Sequence, residues 1–251
     1  MRRPFIAGNW KMNTDLKGAI ALASGIREQL AGVKDVDVGV FPPAIFLADV
    51  VDALTGSPII VGTQNMHHEK EGAFTGEISG PMIRSVGGTH VIIGHSERRH
   101  IFGETDRAVN LKTKAAFASG LTPIVCVGEK LEEREAGQTA SVVERHVRTA
   151  FDGLSAEQAK ATVIAYEPVW AIGTGKTATP EQANEVHALI RKLLAKLYNA
   201  DVAQAVRIQY GGSVKPENAK GLMAQPEVDG FLVGGASLKV DSFVRIVRYK
   251  E

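Results

Sequence analysis

Short apolar runs rich in β-branched residues alternate along this chain with longer stretches whose apolar residues recur at helical spacing. Eight such runs stand out: Phe5–Trp10, Val36–Phe41, Pro58–Thr63, His90–Gly94, Leu121–Val127, Thr162–Glu167, Val206–Tyr210 and Gly230–Val233. Most are apolar on consecutive rather than alternate positions, the pattern of strands covered on both faces by crossover helices. Between them, Ile20, Leu22, Ala23, Ile26 and Leu30 approximate one helical face, with Asp15 near its start and Gly32 at its end. Thr179 stands before Pro180 as an N-cap before a first-turn proline, and Val186, Leu189, Ile190, Leu193, Leu194 and Leu197 then form a long stripe. Lys215-Pro216-Glu217-Asn218 opens a shorter helix.

The strand-then-helix alternation runs from end to end of the 251 residues with no Ser/Pro-rich linker or charge block. One domain over residues 1–251 is therefore expected, of the α/β class, and eight β/α units in this length match a closed (β/α)8 barrel. A doubly wound open sheet is the alternative, because periodicity sets the units but not the closure. In both arrangements ligands bind beyond the C-terminal ends of the strands.

Charge and composition narrow the partners. With 29 Lys plus Arg against 28 Asp plus Glu, and no basic patch, nothing pulls the chain toward nucleic acid or anionic lipid. A single cysteine, Cys126, excludes an internal disulfide and a Cys-rich zinc site, which suits a reducing compartment. Arg2-Arg3 is followed by too short an apolar stretch for a secretion signal, and no run reaches the roughly 18 residues of a spanning helix. The expectation is a cytoplasmic protein with neither a nucleic-acid nor a membrane partner.

Polar residues and glycines collect at the strand ends. The first run ends in Asn9-Trp10-Lys11, the third in Gln64-Asn65, the fourth in Gly94-His95-Ser96-Glu97-Arg98-Arg99 and the sixth in Glu167-Pro168. The seventh and eighth lead into Gly211-Gly212-Ser213 and Gly234-Gly235, where backbone N–H groups can face an anion without interference from a Cβ. Tight strand-to-helix turns would explain those glycines equally well. Pro168 to Ala178 is a long non-periodic stretch carrying Val169, Trp170 and Ile172, as expected of a lid.

Other motifs fail. A Walker A loop around Gly175-Lys176-Thr177 needs glycine where Trp170 stands, and Gly173-x-Gly175-x-x-Ala178 begins too far past its strand for a dinucleotide fingerprint. His95 and His100 lie five residues apart, not four as in a zinc-protease helix, and Gly94-x-Ser96-x-Arg98 lacks the second glycine of a nucleophile elbow. His67-His68 has no third ligand nearby, so no metal site is expected, and Cys126 in its apolar run reads as a core residue.

What remains is a carboxylate, an imidazole and an ammonium. Glu167 under a lid can serve as general base. His95 at a helix start can serve as a neutral hydrogen-bond donor, and Lys11 as a fixed cation beside a developing oxyanion. These are reagents for removing a proton α to a carbonyl of a small phosphorylated compound. A Schiff-base aldolase using Lys11, and a barrel that binds phosphometabolites without chemistry, are competing readings.

Ala7-Gly8-Asn9-Trp10-Lys11-Met12-Asn13, Gly72 to Glu77, Gly94 to Arg99, Ala165 to Gly175 and Tyr210 to Val214 together resemble the triosephosphate isomerase family, in its order and spacing over nearly the whole chain. The resemblance implies a TIM barrel, no cofactor, and interconversion of dihydroxyacetone phosphate and D-glyceraldehyde 3-phosphate through an enediolate. It implies Glu167 as the proton-transferring base, His95 as electrophile, Lys11 as cation, Glu97 as a supporting acid and Asn9 as a substrate contact. Gly173, Ser213, Gly234 and Gly235 match backbone donors to the phosphate. It further implies a homodimer through the third loop, Gln64 to Ser79, with Thr75 near the partner's active site. Met66 to Glu71 and the placement of Pro81 after Ser79-Gly80 depart from the family pattern.

Overall fold

The computed structural model describes residues 2–173 and 176–251. Among these residues eight parallel strands pair in chain order: β1 (Phe5–Asn9), β2 (Asp37–Phe41), β3 (Ile60–Thr63), β4 (His90–Ile93), β5 (Thr122–Val127), β6 (Val163–Tyr166), β7 (Arg207–Tyr210) and β8 (Gly230–Val233). β8 also pairs with β1, from Phe5 opposite Gly230 to Gly8 opposite Val233, so the sheet closes and the open alternative falls away. Only glycine fits the first rung of that seam. Gly230 has φ +139°, and a Cβ there would lie 1.9 Å from the Phe5 carbonyl oxygen.

The consecutive apolar pattern has a direct cause. On β5, Ile124 and Cys126 belong to the inner core with Phe5, Ala7, Phe41, Ile92, Val163, Ala165 and Leu232, while Val125 and Val127 join the outer core under the helices. Cys126 is fully buried, and that burial pushes its thiol well above the usual range, leaving it unreactive.

The helix starts follow the sequence signals. Asp15 accepts from the Gly18 N–H at 2.7 Å and caps Leu16–Gln29. Thr179 and Gln182 form a reciprocal capping box ahead of Pro180–Leu197. The expected strands overshoot at both ends. Pro58, which has no N–H to give a ladder, and Ile59 precede β3, whereas Trp10, Gly94 and Glu167 lie just past their strands. These last three are where the chain turns out of the sheet toward the rim.

At the N-terminal end of the barrel the charges pair off. Asp229 binds Arg2 at 2.6 Å and Arg191 at 2.8 Å, Arg191 also binds Glu227, and Asp37 is shared by Arg3 and Arg207. Among the described residues, no helix is long and apolar enough to cross a membrane.

Candidate active site

The strand-end residues converge on a cavity of about 290 Å³ at the C-terminal rim, lined by Asn9, Lys11, His95 and Glu167 and by Gly173, Ser213, Gly234 and Gly235. Glu97 is not among its lining residues. It faces an adjoining cavity of about 350 Å³ that Asn9, Lys11 and His95 also border.

Lys11 follows β1 in the left-handed region, at φ +51°, a conformation that costs a residue with a Cβ about 1–2 kcal/mol. Two side chains hold it there. Asn9 accepts from the Lys11 N–H at 3.0 Å, and Gln64 donates to the Lys11 carbonyl at 2.8 Å and to the Phe41 carbonyl at 2.9 Å. The ammonium reaches Glu97 at 2.5 Å, and the lysine stem passes close to Gly234, where a Cβ would lie 3.5 Å from Cε.

Glu167 sits one residue past β6 and is 2% exposed. Its N–H donates to the Val127 carbonyl at 2.7 Å, which extends the β5–β6 ladder by one rung. Two glycines make room for it. A Cβ on Gly128 would lie 1.8 Å from the Glu167 carbonyl oxygen, and one on Gly211 would lie 2.9 Å from Cγ. Oε2 accepts from the Ser96 N–H at 2.8 Å. Oε1 stands 2.9 Å from His95 Nε2, an ion-pair separation, but receives no well-aligned hydrogen bond. Burial by itself would raise the carboxyl, but the facing His95 and the Ser96 N–H outweigh it and hold Glu167 below the usual carboxylate range.

His95 caps the short helix Ser96–His100, its Nδ1 accepting from the Glu97 N–H at 3.2 Å, which leaves the ring proton on Nε2 facing Glu167. The helix start alone favours a neutral imidazole. Burial does disfavour the charged ring, but the Glu167 carboxylate reverses the balance and raises His95 above its ordinary range. A helix of five residues supplies too little dipole to compete with a full charge 2.9 Å away.

The glycine loops complete the wall of the cavity. Gly211 donates to the Tyr166 carbonyl at 2.7 Å, while Gly235 begins a 3₁₀ turn, Gly235–Leu238. Gly173 is exposed at φ +69°. Thr174 and Gly175, in the middle of the expected lid, lie outside the described residues.

Sequence reasoning did not single out Glu129, just past β5. It is fully buried and accepts from Trp170 Nε1 at 2.9 Å and from the Tyr166 hydroxyl at 3.1 Å, while Arg134 reaches it at 3.3 Å and lies 4.8 Å over the Trp170 ring. The base of the lid segment is thereby anchored beside the cavity. A polar Gly128-Glu129-Lys130 at a strand end was the available signal, obscured by the solvated Glu and Lys residues that follow it.

Comparison with known proteins then decides the lineage. A family model described as triosephosphate isomerase matches residues 4–250. The chain belongs to the triosephosphate isomerase family. It is 59% identical to the triosephosphate isomerase of Carboxydothermus hydrogenoformans over 251 residues, covering 99% of each chain. It is 54% identical to those of Endomicrobium trichonymphae and Herpetosiphon aurantiacus, in each case over 100% of both chains. The family's barrel is thus the fold that closes here through the β8–β1 seam.

Proposed function

We propose that this chain interconverts dihydroxyacetone phosphate and D-glyceraldehyde 3-phosphate, with Glu167 moving the proton. The observation that carries this reading is a buried carboxylate with one oxygen lacking an aligned donor, set against a histidine N–H on the wall of a small cavity. Glu167 takes a proton from C1 of the ketose, and the bonding pair forms the C1–C2 double bond. The C2 oxygen becomes an oxyanion facing His95 Nε2 and the Lys11 ammonium. Glu167 then returns the proton to C2 while His95 relays one between the two oxygens, and the aldose results.

To reach C1, Glu167 has to leave the Ser96 N–H and His95. Its departure removes the charge that raises His95, so burial again favours the neutral ring. One movement frees the base and readies the electrophile. Gly173, Ser213, Gly234 and Gly235 hold the phosphate through backbone N–H groups, and Asn9 orients Lys11. Glu97 sets the Lys11 ammonium from outside the cavity. That contact engages the Lys11 nitrogen with Glu97, an arrangement that does not suit the nucleophile of a Schiff-base aldolase.

Solvent-exposed apolar residues support a homodimer. Met12, Ile45 and Phe102 are 96%, 80% and 67% exposed, and Met12, Phe102 and Ala44 border the cavity shared by Lys11 and Glu97. A second copy's Gln64–Ser79 loop, with Thr75 at its exposed tip, would cover this face. Sedimentation analysis should give a dimer in the wild type and monomers in Thr75→Arg. A reducing, cytoplasmic compartment suits the single buried thiol.

A coupled assay with glyceraldehyde 3-phosphate tests the chemistry. Glu167→Ala should lose about 10²–10⁴-fold in turnover with substrate affinity largely retained. An inactive wild type, or a variant equal to it, would refute the assignment.

A further inference from the structure

β4 leaves the sheet at Gly94, whose φ of +69° turns the chain outward. The β4–β5 ladder ends with Ile93 opposite Val125, so the Gly94 carbonyl has no strand partner beyond that rung. A buried carbonyl needs a donor. Arg99 supplies it, Nε donating to Gly94 O at 2.8 Å, while one terminal nitrogen donates to Cys126 O at 3.2 Å and the other to Asp106 at 2.6 Å. The guanidinium therefore ties together the ends of two strands. Its side chain is 7% exposed and passes so near Gly94 that a Cβ there would lie 3.0 Å from it.

The fork is itself held. Asp106 also accepts from Arg145 at 3.2 Å and lies 3.7 Å from His146, and Gly128 donates to His146 Nδ1 at 3.4 Å. Burial and the neighbouring Arg99 push the His146 ring down to about 3, so it stays neutral. The gap behind Glu167, bordered by Gly94, Ser96, Arg99, Cys126 and Gly128, has no room for a water molecule.

We infer that Arg99 is a positioning residue for the reaction: by pinning the Gly94 and Cys126 carbonyls at a fixed separation it sets the direction of the His95–Ser96 turn, and with it the Ser96 N–H that holds Glu167 and the His95 ring that faces it. The adjacent Arg98 points elsewhere, to Glu104 and the Phe102 ring. A planar fork with fixed N–H directions can hold two carbonyls at once, whereas a single flexible ammonium cannot. The chemical role of Arg99 rests on the isomerase reading, but its geometric role does not.

Arg99→Lys keeps the charge and removes the fork. Turnover should fall about 100-fold, the cost of misplacing reacting groups by about 1 Å, with KM within about threefold because the phosphate loops are untouched. The acid limb of kcat/KM should move to higher pH, since burial raises Glu167 once Ser96 and His95 shift away. In the ligand-free protein, the imidazole ¹H–¹⁵N resonances of His95 should shift while those of the buried His187, which meets the Glu227 carbonyl at 3.0 Å, stay in place. Asp106→Asn, which loosens the fork without removing it, should show the same signs at about a tenth of the size, and it serves if Arg99→Lys does not fold. Unchanged His95 resonances, turnover within threefold of wild type, or a loss confined to KM would overturn the inference. An inactive wild type would refute the isomerase reading alone, because the resonance comparison still decides the placement of His95.

Discussion

Both ends of this barrel carry charged residues, and they use them in opposite ways. At the N-terminal end, Asp229 faces Arg2 and Arg191 and Asp37 faces Arg3 and Arg207, so opposite charges meet directly. At the C-terminal rim the charges surround open space, the Lys11 backbone is strained, and one Glu167 oxygen lacks an aligned donor. Charge density therefore does not mark the site. What marks it is charged groups turned onto open space beside a backbone strain held in place by neighbours.

Substitutions at the two ends should separate stability from chemistry. Asp229→Ala strips a buried carboxylate from Arg191, which keeps Glu227 and the Ala203 and Val206 carbonyls, and should cost about 3 kcal/mol, the lower end for breaking a buried pair. Denaturant melts measure that loss, and turnover per folded molecule should stay at the wild-type level. A turnover that falls with stability would erase the contrast. Lys11→Ala should do the reverse, lowering kcat/KM by about 10²–10³-fold and weakening inorganic phosphate as an inhibitor while the melt barely moves. Unchanged phosphate affinity would take Lys11 out of the site.

The smallest effect is in pH. Glu167 is lowered on folding, so its contribution to stability is full above about pH 4.5 and fades as pH falls through its folded value. His95 is raised, so its contribution is full below about pH 6.5 and fades as pH rises through its folded value. The pair thus stabilises the ligand-free fold most between those limits. Melting temperature against pH in wild type and Glu167→Gln measures it, and the difference between the two proteins should peak inside that window. A difference that is flat with pH would mean the pair does not titrate as a unit.

Much of this contrast was legible in the sequence. Consecutive apolar runs located all eight strands, because a strand covered on both faces leaves no polar alternation to misread. The convergence of Asn9, Lys11, His95 and Glu167 was legible because they stand at or just past the ends of those runs. Closure was legible only through the count of eight units and the family resemblance, since no local pattern encodes which strand β8 pairs with. The upward shift of His95, which depends on a carboxylate distant in the chain, was not legible, nor was the placement of Arg99, two of whose three acceptors are backbone carbonyls that carry no residue signature.

The seam at Gly230 joins the two strands that lie farthest apart in the chain. During synthesis at about 5–20 residues per second, β1 leaves the ribosome on the order of ten to fifty seconds before the segment that will pair with its free side. For that interval the strand leading to Asn9 and Lys11 is an open edge, with unpaired N–H and carbonyl groups along it, able to accept a strand from another nascent chain. The folded barrel has no edge left to offer, so the exposure belongs to its making and ends when residues 230–233 dock.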